Sequence, residues 1–123
     1  MAGAALLVTP VLLIGGCALP GQTQNPALCP PVEESWNGFA ADPAPENRVA
    51  FEAALDALQY EDATSTAVDA ARLAKSALQN TLARRPVRNP SFWNALDLIA
   101  RECAAAGVDL SFDGHGEPLP AVG

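Results

Sequence analysis

One residue in five of this chain is alanine, 25 of 123. That excess constrains the fold more than any other feature. A methyl side chain buries little area, so a core built from alanines is thin and yields little hydrophobic stabilisation per residue. At this length the chain forms one domain at most. Such a domain needs close-packed elements, and some further support.

The apolar pattern supplies three helices. The first begins near Pro45, with Glu46 complementing the positive end of the dipole, and runs to about Tyr60. Its Phe51, Leu55 and Leu58 share one face. The second runs from about Ser65 to Arg84, where Thr66 and Asp69 loosely resemble a capping box. Ala67, Ala71, Ala74, Leu78 and Leu82 form a narrow stripe that permits close helix approach, and Pro86 stops the element. The third is the clearest, with Asn89 as N-cap, Pro90 in the first turn and Gly107 past the end. Phe92, Leu96, Ile99, Cys103 and Ala106 repeat along it at helical spacing. Val108, Leu110 and Phe112 then alternate with Asp109, Ser111 and Asp113, as in a short strand or an extended segment laid on the helices. The expected fold is mainly α: a small three-helix bundle with a short extended C-terminal segment.

The other strong feature lies at the start. No charged residue precedes Glu33, and Met1 to Gly16 is apolar throughout. Sixteen residues are short for a membrane span, which takes about 20, but suit the apolar region of a signal peptide. A signal usually opens with Lys or Arg; here only the α-amino group is positive, so translation is expected either to begin upstream or to use an atypical signal. Ile14-Gly15-Gly16-Cys17 closes the run. It resembles a lipobox, the processing site of bacterial lipoproteins, with an aliphatic residue three before the cysteine and a small residue directly before it. The resemblance covers the first 17 residues only. It implies diacylglyceryl transfer to the Cys17 thiol and cleavage after Gly16. Two acyl chains hold a protein stably at a membrane where one does not.

With Cys17 lipidated, Cys29 and Cys103 remain as a pair, and an exported compartment permits a disulfide between them. Such a bridge closes a loop of about 75 residues, for which the chain-entropy argument gives roughly 4.5 kcal/mol. It would pin the bundle. The expected organisation is a signal peptide over 1–16, a flexible tether over 17–34, a helical domain over 35–112 and a loose tail over 113–123. Four prolines between Ala18 and Pro31 argue for the tether, and Asn37-Gly38 reads as a turn.

The net charge of −7 disfavours binding to phosphate backbones, so nucleic acid is not an expected partner. Catalytic constellations are scarce. His115 is the only histidine and stands between glycines in the expected loose tail, whereas a general base needs a fixed position. Asp109, Asp113, His115 and Glu117 are possible metal ligands, but they match neither a calcium loop nor a zinc spacing. No cofactor or metal is expected. Trp36 and Phe39, flanking Asn37-Gly38, either fold back onto the core or join Trp93 in an exposed aromatic contact surface.

The expectation is therefore a non-enzymatic lipoprotein on the extracytoplasmic face of the cell membrane. It is held there by acylated Cys17 and acts as an interaction module towards an envelope protein partner. A phage-encoded exclusion lipoprotein is one alternative. An envelope carrier of a small ligand, or a minor enzyme, is another.

Overall fold

The computed structural model describes residues 25–61, 66–80 and 88–120. The signal peptide, Cys17 and residues 18–24 of the expected tether lie outside the described residues. The protein is a mainly helical bundle pinned by a Cys29–Cys103 disulfide. A short 3-10 turn, Pro26–Leu28, leads into α1, Cys29–Ala41. Three more helices follow: α2, Pro45–Glu61; α3, Thr66–Asn80; and α4, Pro90–Ala105.

α1 corrects two expectations. Among the described residues the helices number four, not three, and the tether does not extend to residue 34. Pro30 and Pro31 occupy the first turn, where the missing N–H would have had no partner in any case. Asn37 and Gly38 sit inside the helix rather than in a turn. What holds α1 in a helix is its apolar face: Cys29, Val32, Trp36 and Phe39 fall at helical spacing and are all buried. Tertiary burial overrides the local turn signal of Asn-Gly.

α2 and α4 begin, and α4 ends, as their end signals require; the expected ends of the helix from Ser65 to Arg84, with Leu82 and Pro86, lie outside the described residues. The N–H groups of Asn47 and Arg48 donate to the Ala44 carbonyl at 3.1 Å, which starts α2 at Pro45. Asn89 caps α4 by accepting from the Phe92 N–H at 3.1 Å, and its own amide donates to the Ala77 carbonyl of α3. A single side chain thereby starts one helix and ties it to the end of its neighbour. At the far end Gly107 adopts φ +94°, and the Val108 and Gly107 N–H groups donate to Cys103 and Ala104. This is a Schellman closure, which favours glycine in the left-handed region.

Each helix packs on the next in sequence. α3 contributes Ala67, Ala70, Ala71, Ala74 and Leu78 to the core, so its backbone approaches α2 and α4 closely. The Lys75 ammonium of α3 donates to Asp56 of α2 at 2.6 Å, and that bond holds the Lys75 pKa above its ordinary value. By sign, the stabilisation is fully present at neutral pH and is lost only as alkali deprotonates the lysine. The large side chains gather at the other side of the bundle. Trp36 touches Phe39, Phe51, Phe92 and Trp93, with ring centroids 5.2–5.8 Å apart and mostly edge-on. The core is thus alanine-thin between α2, α3 and α4 and aromatic-thick between α1 and α4.

The C-terminal segment fills the gap that those aromatic residues leave. Val108, Leu110 and Phe112 turn inwards while Asp109, Ser111 and Asp113 stay exposed, so the alternation survives as an extended segment. The tail does not end loosely at 113. Leu119 is buried in the core, and residues 108–120 form a strap laid along α1 and α4.

Candidate functional site

The strap is held by side chains that reach for its backbone. On α1, Glu33 accepts from the Ser111 N–H at 2.6 Å. One turn on, Asn37 acts as a peptide-like clamp: its amide donates to the Ser111 carbonyl at 3.2 Å and accepts from the Asp113 N–H at 2.9 Å. The Trp36 indole N–H donates to the Asp113 carbonyl, and the Trp93 indole to the Glu117 carbonyl, both at 2.9 Å. A buried indole needs an acceptor, and the strap provides one for each tryptophan.

These bonds fix His115. Its Nε2 lies 2.6 Å from Asp97 Oδ1 of α4, and its ring stands 4.9 Å from that of Trp93. Both members of the pair are about half exposed, 50% for the His115 side chain and 47% for Asp97. An imidazole so oriented by a carboxylate has the first two parts of a proton-transfer relay. Among the described residues no hydroxyl or thiol is hydrogen-bonded to the pair. What the geometry does is fasten the strap to α4. Asp109, Asp113, His115 and Glu117 do not converge as a metal-holding group among the described residues.

Two sequence expectations meet their outcome here. Cys29 and Cys103 are bonded, with Cα atoms 6.1 Å apart, and both are fully buried. The expected aromatic contact surface does not exist, because Trp36, Phe39 and Trp93 are 1%, 0% and 5% exposed. They face each other across α1 and α4, and the strap covers them. Among the described residues, the large apolar side chains that reach solvent are instead Val49, Tyr60 and Leu73. The placement of Asp97 was not foreseen, since nothing in the sequence relates it to a histidine 18 residues on. Nor was Asn37, whose type signals a turn and whose role is to clamp the strap.

A second feature lies on the outer side of α3 and α4. An open groove of about 550 Å³ runs between them, with Leu73, Ala77 and Leu98 as apolar floor and Ser76, Asn80 and Asn94 along the rim. All nine lining residues are uncharged, unlike the acidic surface of the chain as a whole. No described helix is long and apolar enough to cross a membrane.

No protein-family model, curated protein or solved structure matches this chain.

Proposed function

We propose that the protein is a lipid-anchored, extracytoplasmic interaction module of the bacterial cell envelope. The observation that carries this reading is the division of the cysteines. Cys29 and Cys103 are joined and buried at one end of the bundle, which leaves Cys17, the cysteine in the lipobox-like Ile14-Gly15-Gly16-Cys17, available for a thioether. A buried disulfide also fits an oxidising compartment rather than a reducing one.

The anchor sets the reach. Cys17 precedes Cys29 by twelve residues, a span of at most about 40 Å when fully extended. The end of the bundle that carries the disulfide therefore stays within that distance of the anchor. The turn between α1 and α2 and the start of α4 lie at the opposite end. The acidic surface keeps the domain clear of anionic headgroups, so attachment rests on the acyl chains.

Intact mass of the full chain recovered from membranes tests this. The expected result is loss of residues 1–16, gain of acyl chains and the two-hydrogen deficit of one disulfide, with Cys17→Ala unlipidated and retaining 1–16. An unprocessed wild-type chain with no added acyl mass would overturn the reading.

A further inference from the structure

We propose that the His115–Asp97 contact is a proton-operated clasp on the strap, tight when His115 is charged and looser when it is neutral, and that its release uncovers Trp93 and Trp36. The proposal stands on the folded domain alone and does not depend on the lipid anchor.

The strap's hold has two parts of different chemistry. Phe112 and Leu119 are buried, and the bonds to Asn37 and the two indoles join neutral groups. That part is insensitive to pH across the physiological range. The second part is ionic. His115 is the only side chain on the strap able to carry positive charge. The ionisable groups of the elements around it are Asp97, Arg101 and Glu102 on α4, Glu33 and Glu34 on α1, and Asp109, Asp113 and Glu117 on the strap itself. Apart from Arg101 they are carboxylates. A charged His115 meets the Asp97 carboxylate at 2.6 Å and the Trp93 ring at 4.9 Å, which lies within cation–π range. Deprotonation does not abolish the hydrogen bond, because a neutral imidazole can still donate from Nε2. It removes the charge–charge and cation–π attractions.

The sign follows from linkage. Docking is favoured in the protonation state that binds the docked strap better, here the imidazolium. The clasp is therefore tighter on the acid side of the histidine range. It loosens as pH rises through the range in which histidines give up their proton, between about pH 5 and 8. Half-exposed pairs are weak, so the expected effect is a bias of about threefold to tenfold in strap opening. The tryptophans released are those whose indole N–H groups the strap satisfies, so opening places two hydrogen-bond donors and their aromatic rings at the surface together.

Amide hydrogen exchange on the full disulfide-bonded chain, corrected for intrinsic rates, tests the clasp at pH 5.5 and pH 8. The informative amides are those of Ser111, Asp113 and Glu117, each of which donates a hydrogen bond in the docked strap. Their protection should fall by about threefold to tenfold between the two pH values, while amides in the middle of α2 and α4 hold constant. In His115→Gln the strap's protection should be the same at both pH values, and in Asp97→Asn its pH dependence should shrink to what the contact with Trp93 leaves. These two side chains are half exposed, so both variants fold, and unchanged core protection verifies it. Strap protection that is pH-independent in the wild type, or equally pH-dependent in His115→Gln, would overturn the proposal.

Discussion

Cys103 shows how much one residue carries when the core is thin. It lies on the buried face of α4 and ties that helix to the first residue of α1 across a separation of 74 residues. Replacing both half-cystines with serine, Cys29→Ser with Cys103→Ser, should lower the unfolding free energy by about 2–5 kcal/mol. Urea unfolding of that variant, beside wild type with and without reductant, checks the value; reduced wild type should approach the variant. Two glycines make a sharper pair because they should move in opposite directions. Gly38 lies within α1, and a Cβ there would meet nothing within 4 Å. Gly38→Ala should therefore stabilise by about 0.5–1 kcal/mol. Gly107 also has open space around it, but its φ of +94° is one that L residues rarely adopt. Gly107→Ala should destabilise by about 1–2 kcal/mol. Thermal melts of the two variants would expose an error in either assignment, since the same sign for both contradicts it.

At the scale of elements, legibility in the sequence varied with how local the cause was. The existence of α2, α3 and α4 follows from apolar spacing and from signals at their own ends, above all Asn89-Pro90 and Gly107. α1 was illegible for a physical reason: its prolines and its Asn-Gly are local signals for tether and turn, and the burial that overrides them comes from Phe51, Phe92 and Trp93 on other helices. The strap was half legible. Its alternation marks one side as buried, but the acceptors it offers to Trp36 and Trp93 exist only once α1 and α4 stand side by side. Ending the chain after Gly107 should cost about 3–5 kcal/mol, from lost burial of Phe112 and Leu119 together with two indole hydrogen bonds. Tryptophan emission should shift to the red as the rings meet water. Unchanged stability and emission would mean that the strap merely rests on the bundle.

The whole molecule combines two kinds of core. Alanines let α3 lie close between its neighbours, while aromatic residues fill the wider space between α1 and α4, closed by the disulfide at one end and by the strap along its length. That arrangement explains why every tryptophan and phenylalanine of the described residues is buried: the large rings are needed where alanine cannot fill. The uncharged groove between α3 and α4 lies on the outer side.

What the sequence determines by itself is what periodicity and end signals can encode: a helical class, the presence of three helices and the limits of α2 and α4, the inward face of each, and the lipobox-like motif at Cys17. These depend on residues within a few positions of one another. The tertiary structure alone decides that α1 is a helix, that Trp36, Phe39 and Trp93 are core rather than surface, and that His115 meets Asp97. Each of these rests on groups brought together from distant parts of the chain, where burial and hydrogen bonding between elements outweigh the local preference of any one of them.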